Sequence, residues 1–158
     1  MKEKIPQELR IQILTDALKE RYHALHKIRE RVQNTSYWTL GFLITASGWI
    51  VQTSILNTQQ KLFLTLLFFA GYILIGYIYL TDLLKGFSSQ QKVAVRIEKA
   101  LGLYDKGLFD SDDSSIYPEI WKKSGDKNGE GKYFTTNFRM IDVGAVIFLI
   151  ALWSQGLI

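Results

Sequence analysis

Charged and apolar residues are separated into long blocks along this chain. No Asp, Glu, Lys or Arg occurs in residues 32–60, 62–81 or 143–158. A helix of a soluble protein keeps a polar face for water, whereas these blocks carry apolar side chains on every side, as lipid-facing helices do. The pattern predicts three transmembrane helices, at 37–56, 62–81 and 140–158.

The first two predicted spans are joined by a short polar turn, residues 57–61. The second span, 62–81, reaches about 30 Å at the rise of an α-helix, which matches the hydrocarbon core of a bilayer. So short a connection predicts an antiparallel hairpin over 37–82. The third span carries Asp142 near its start, where we expect it to pair with Arg139 at the membrane interface.

Residues 5–34 have the apolar periodicity of one long amphipathic helix. Apolar side chains recur along a heptad-like seam that is interrupted only at Arg21, over about the three heptads that a coiled-coil tendency needs. The helix is expected either to pack on its own protein or on the membrane surface, or to form a contact between subunits. The residues of this seam are Ile11, Leu14, Leu18, Leu25, Ile28 and Val32.

The segment between the second and third spans, residues 83–138, is predicted to form a small cytosolic helical lobe. Ser88 followed by Gln91 has the spacing of a capping box, which predicts the start of a helix. Gly107 is expected to end this helix. The loop at 126–132 is rich in glycine and charge, and is expected to be flexible.

Together these segments predict an all-α integral membrane protein. It begins with a cytosolic amphipathic helix (1–36), followed by a two-span transmembrane hairpin (37–82). A cytosolic helical segment (83–138) then leads to a third, C-terminal transmembrane helix (139–158).

Lys and Arg are distributed unevenly between the connecting segments. Residues 1–31 hold eight of them and residues 82–139 hold ten, while the turn between the first two spans holds only Lys61. The positive-inside rule then places the N-terminus and the 82–139 segment in the cytoplasm, and the turn and the C-terminus outside. We therefore expect a multi-pass protein of the inner (plasma) membrane. The same rule accounts for the net charge of +4, so no nucleic-acid partner is predicted.

The residues that most catalytic and metal sites need are scarce. The chain has no cysteine and two histidines, which removes thiolate nucleophiles and Cys-ligated zinc. No serine lies in a nucleophile context with a histidine to activate it. We expect a protein that is not an enzyme, with no catalytic residue, no metal and no cofactor.

Small and polar residues form a stripe down the first predicted span. Gly41, Thr45, Gly48 and Gln52 follow one another at steps of four, three and four, which keeps them on one face of a helix. Small side chains let membrane helices approach closely, and buried Thr or Gln can bond across the contact. The stripe is expected to pack against the second span, at Gly71 and Gly76, or against a neighbouring subunit; the alternative is that it lines a water-filled pore.

Lys92, Arg96 and Lys99 form a basic face on the predicted helix that follows the second span. A basic face beside a membrane commonly meets anionic lipid head groups. It is equally suited to the phosphates of a nucleotide ligand or to a partner protein.

The plan of a long cytosolic helix, a tight two-span hairpin and a further cytosolic helix resembles the bacterial SLATT class of small membrane proteins. The 11–32 seam, the 37–81 hairpin and the 88–108 helix carry the resemblance, and the third span is an addition to that plan. The resemblance implies a homo-oligomeric effector of antiviral defence, which permeabilises the membrane when a cytosolic sensor or nucleotide ligand triggers it. The alternative is a non-pore scaffold or anchor subunit of a larger complex.

Overall fold

The computed structural model describes residues 5–53, 56–108, 114–126 and 132–154. Every regular element among these residues is a helix, and none is a strand. The predicted all-α class is therefore confirmed.

Helix α1 is one uninterrupted helix, Gln7–Gln52. It joins two elements that the sequence analysis separated, the amphipathic helix at 5–34 and the first predicted span. Ser36 marks the junction, and it is fully buried inside the helix, where its hydroxyl donates to the carbonyl of Val32 at 2.9 Å. Because that hydroxyl bonds back to the preceding turn, it does not cap a new helix.

The second long helix begins at a capping box and runs without a break through three stretches. Asn57 accepts a bond from the backbone N–H of Gln60, and the Gln60 side chain accepts one from the backbone N–H of Asn57. From there the chain runs as the α-helix α2, a π-helical stretch and the α-helix α3. Their bounds are Thr58–Tyr72, Ile73–Leu80 and Thr81–Ala100.

The helix start predicted at Ser88 is therefore wrong. Ser88 lies inside α3, and its hydroxyl donates to the carbonyl of Gly125, 2.5 Å away. The predicted end at Gly107 is also wrong, since α3 ends at Ala100 and Gly102 follows with a φ of 75°. A residue of positive φ just beyond a helix is a common way to end it, and glycine takes that conformation without strain.

The rest of the described chain contains a short 3₁₀-helix, Glu119–Lys123, and the helix α4, Tyr133–Ser154. Helix α4 starts earlier than the predicted third span at 140. Its polar first turns are held within the helix, where Thr136 and Asn137 donate from their side chains to the carbonyls of Lys132 and Tyr133 at 2.9 Å. The last residues of that predicted span, 155–158, lie outside the described residues.

The chain divides into two compact units. The first unit consists of residues 1–29 and 85–131, and the second unit of residues 30–84 and 132–158. Helix α1 contributes to both, as does the helix that begins at Thr58.

In the first unit, the α1 residues pack against α3 and the turns that follow it. The buried apolar side chains of this unit are Leu18, Leu25, Phe87, Ala94, Val95 and Tyr104. The segment around Gly125 lies directly on α3: a Cβ added there would come within 2.9 Å of the Ser88 carbonyl oxygen. That close approach and the bond from Ser88 hold the 3₁₀ segment over the helix.

In the second unit, α4 contacts both other helices. Leu43 and Ile50 of α1 form a buried cluster with Phe148 and Leu152 of α4. Phe148 also stacks on Phe68 of α2, with 4.9 Å between ring centroids. Helix α4 is therefore an integral part of this unit, as well as a predicted span.

Many large apolar side chains of the second unit are exposed. Leu66 and Tyr77 are 71% and 77% exposed. Within the described residues two helices are long and apolar enough to cross a membrane, the one that runs over Thr58–Ala100 and Tyr133–Ser154. The 37–52 part of α1, predicted as the first span, is not among them.

Gly144 is the point where α4 and α1 approach most tightly among the described glycines of the second unit, so a larger residue there should destabilise the protein. A Cβ at Gly144 would lie 3.0 Å from Leu40 Cδ1 and 3.1 Å from Leu43 Cδ1. We expect Gly144→Val to lower the free energy of unfolding in detergent by about 1–3 kcal/mol, the usual cost of overpacking. Gly71→Val is the matched control, since a Cβ at Gly71 would meet nothing within 4 Å. Equal losses in the two variants would contradict the close contact.

Candidate functional site

The stripe of Gly41, Thr45, Gly48 and Gln52 lies on an exposed face of α1 in the second unit. A Cβ added to either glycine would meet no atom within 4 Å. The Thr45 hydroxyl donates to the Gly41 carbonyl at 2.9 Å, so it is already satisfied within the helix. The stripe therefore forms no tight contact inside the chain.

The predicted partners of the stripe on the second span are also open. A Cβ at Gly71 or at Gly76 would meet no described atom within 4 Å, so the expected close packing of the stripe against the second span at these glycines is not present among the described residues. The close glycine contact of this unit is made instead by Gly144 on α4, which sequence reasoning missed. A small residue within an apolar helix was its only signal.

A shallow groove runs beside the part of the stripe that is nearest the C-terminal end of α1. Gly48 and Gln52 form its wall on α1, and Ile147, Ile150 and Ser154 form the wall on α4. Its volume is about 520 Å³, and it opens to the outside of the unit. The groove gives the stripe a concave neighbour with small and apolar walls, a shape that suits an apolar side chain from another helix.

Asp142 is bonded within the second unit, but not to the residue that the sequence suggested. The Tyr72 hydroxyl donates to Asp142 Oδ1 at 2.5 Å. In the described part of the chain Asp142 forms no ion pair with Arg139. The expected pairing of Asp142 with Arg139 is therefore wrong, and Asp142 is bonded instead to a phenol that α2 brings alongside α4.

The oligomer seam is used in part by the chain itself. Leu18 and Leu25 are buried in the first unit and Val32 is buried in the second, while Ile28 is half-buried. The burial of these side chains agrees with the alternative in which α1 packs on its own protein. Ile11 is exposed and Leu14 is half-exposed, so the free part of the seam is its N-terminal end.

The basic face of Lys92, Arg96 and Lys99 is exposed in the first unit, and Lys122 from the 3₁₀-helix joins it. Together they line a groove of about 300 Å³. Lys92 lies 3.5 Å from an Asp126 carboxylate oxygen, a surface ion pair of little energetic weight. Lys122 was not recognised from the sequence, because only the turn after α3 brings it alongside that helix.

Glu98 is a buried carboxylate of the first unit, with 6% of its surface exposed. Tyr22 donates to its Oε1 at 2.7 Å, and Tyr104 donates to its Oε2. Burial and the bond to Glu98 raise the pKa of the Tyr104 hydroxyl above its usual value. Tyr104 therefore stays protonated and remains a donor well above neutral pH.

Beside Glu98, the first unit contains a cleft of about 540 Å³. Tyr22, Arg29, Gln91, Glu98 and Trp121 are among its lining residues. Gln91 Oε1 is buried, and it has no hydrogen-bond partner among the described residues. The cleft thus combines aromatic surface, charge and an unused acceptor.

The cleft and the basic groove adjoin each other. Val95 and Ser124 line both of them, and every residue of both walls belongs to the first unit. No single sequence motif indicates this arrangement, because its lining residues come from α1, α3 and the segment around 121–126.

No protein-family model, curated protein or solved structure matches this chain. The resemblance to the SLATT class therefore stays a prediction.

We expect the bond between Tyr104 and Glu98 to stabilise the first unit. Tyr104→Phe removes one of the two phenols that donate to a buried carboxylate, so it should lower the free energy of unfolding by about 1.5–3 kcal/mol at neutral pH. Tyr77→Phe is the control, because Tyr77 is largely exposed in the second unit. Denaturant titration in detergent measures both, and an unchanged stability for Tyr104→Phe would contradict the role of the bond.

Proposed function

We propose that this chain is a homo-oligomeric inner-membrane effector that permeabilises the membrane in antiviral defence, when a cytosolic sensor or nucleotide signal triggers it. In this proposal the second unit lies in the bilayer and the first unit lies in the cytoplasm. Copies of the second unit assemble through the stripe of α1, and the assembled helices surround a path for ions.

The exposure of the stripe is the observation that carries this proposal. Gly41, Thr45, Gly48 and Gln52 face outward on a helix whose other outward residues include Trp38, Phe42 and Trp49, all large and exposed. Lipid covers large apolar side chains well, whereas small residues at an exposed face let a second helix approach closely. The stripe is therefore suited to another copy of the chain.

The membrane location is supported by hydropathy and by charge. Among the described residues two helices are long and apolar enough to cross a bilayer, and the proposal adds the uncharged part of α1 as a third crossing. With the Lys and Arg counts given above, three crossings place the N-terminus inside and the C-terminus outside.

Asp142 adds a second reason for assembly. Tyr72, its partner, lies at the midpoint of the uncharged block 62–81. In this proposal the carboxylate therefore lies deeper in the bilayer than the interface position expected from the start of the 140–158 span. Asp142 is exposed on the single chain. Ionisable residues at such depth usually face a bundle interior or a water-filled cavity. Assembly through α1 and α4 would give Asp142 that environment.

The non-pore scaffold is the second candidate, and an apolar groove on the first unit favours it. Its lining includes Ile11, Leu14, Leu101 and Leu108, and its volume is about 780 Å³. A groove of this character is suited to an apolar segment of a larger complex.

Ion flux across liposomes that contain the purified protein separates the two candidates. In an open pore, a charge at position 45 meets water, so Thr45→Glu should increase and Thr45→Lys should decrease the preference for cations. Gly48→Leu should abolish flux by blocking close approach of the helices. Gly71→Leu is its control, and should leave flux intact.

The flux is measured with and without added ribonucleotides. No flux under any condition, from oligomers that are intact by native mass spectrometry, would contradict the pore and favour the scaffold.

A further inference from the structure

We propose that the cleft and the basic groove of the first unit form one binding site for a small phosphorylated molecule with a flat ring that carries an N–H donor. A nucleoside monophosphate is the simplest molecule of this class. The role of this ligand as a trigger rests on the proposed function. The binding site itself depends only on the first unit.

The unused acceptor of Gln91 calls for a hydrogen-bond donor. A buried polar atom without a partner costs free energy that a bond from a ligand can recover. Gln91 is half-buried in the wall of the cleft, and its Oε1 is the one buried side-chain atom without a partner among the described residues. Because that oxygen is not accessible to solvent in the free protein, the proposed bond requires the Gln91 side chain to turn toward the ligand. Every common nucleobase carries an N–H group that can donate to such an oxygen, and glutamine is well suited to read a base edge.

The other walls of the cleft suit a flat ring. Trp121 lines the cleft, and its ring lies 5.3 Å from that of Tyr117. Tyr22 lines it from α1. Aromatic side chains provide stacking surfaces for bases. The cleft volume of about 540 Å³ lies in the range of small-molecule sites.

The adjoining groove supplies the charge that a phosphate needs. Lys92, Arg96, Lys99 and Lys122 line it, and Asp126 is the only acidic residue of its wall in the part of the chain that the structure describes. Three of the four basic residues are exposed, so they can reach a ligand without rearranging the core. Lys and Arg bind phosphate through charge-assisted hydrogen bonds.

The shared wall makes these two hollows one site. Val95 and Ser124 line both, so a single molecule can place its ring beside Gln91 and its phosphate beside Lys122. A lipid head group would use the basic groove alone, because it has no ring to fill the cleft. Dependence on Gln91 therefore distinguishes a nucleotide from a lipid phosphate.

The test is calorimetric titration of the full-length protein in detergent. The probes are AMP, GMP, CMP and UMP, compared with ribose 5-phosphate and inorganic phosphate. At least one nucleotide should bind tenfold or more tightly than ribose 5-phosphate. Gln91→Leu should remove that difference, and Lys122→Ala should weaken nucleotide binding by threefold or more.

The control variant is Lys106→Ala, because Lys106 is exposed in the same unit and lines neither hollow. It should bind as the unmodified protein does. Thermal unfolding of each variant checks that it is folded, and Lys99→Ala replaces Lys122→Ala if the latter is not.

The site is overturned if no nucleotide binds more tightly than ribose 5-phosphate. It is also overturned if vesicles with anionic lipid compete fully with the nucleotide while Gln91→Leu has no effect, since that result assigns the groove to lipid. Nucleotide binding without ion flux would leave this site standing and contradict the proposed pore. Ion flux without nucleotide binding would support the proposed pore and overturn this binding site.

Discussion

The apolar outer surface of the second unit needs a surrounding other than water, and the rest of the account depends on that constraint. Large side chains such as Leu66, Tyr77 and Ile150 are mostly exposed there. Each large apolar side chain left in water forgoes about 1.5–3 kcal/mol that burial would supply. A bilayer covers such a surface, and it also sets the length and composition of the helices that cross it.

Polar groups of the second unit are arranged in a way that suits this environment. Ser36, Thr45 and Ser47 each donate to a carbonyl of their own helix, so their hydroxyls need no water. Asp142 shares a bond with Tyr72 but remains exposed. The Asp142 carboxylate and the stripe of small residues are both exposed, and in the proposed assembly both meet another copy of the chain. In the first unit, by contrast, the buried carboxylate accepts hydrogen bonds from two phenols, and the basic groove is exposed.

The sequence predicted the helical class and three apolar spans, because blocks without charge are visible at the level of composition. Two of the three overlap the helices that are long and apolar enough to cross a membrane. The predictions from sequence were wrong where a side chain can bond either within its own helix or to a distant segment. Ser88, which was predicted to begin a helix, bonds to Gly125 from inside α3. Ser36 bonds within α1 at the boundary where the sequence separated two elements. The contacts that make Gly144, Lys122 and Gln91 important are with neighbours that only the fold brings close. The periodicity of a single helix holds no information about those neighbours.

Accessibility of single introduced cysteines tests most directly whether the second unit crosses the membrane with the first unit inside. The chain has no cysteine of its own, so Gln59→Cys and Lys106→Cys each give one reporter on an exposed position. In right-side-out vesicles, a membrane-impermeant thiol reagent should label position 59 and should label position 106 only after permeabilisation. Labelling of position 106 in sealed vesicles, or equal labelling of both, would contradict the account.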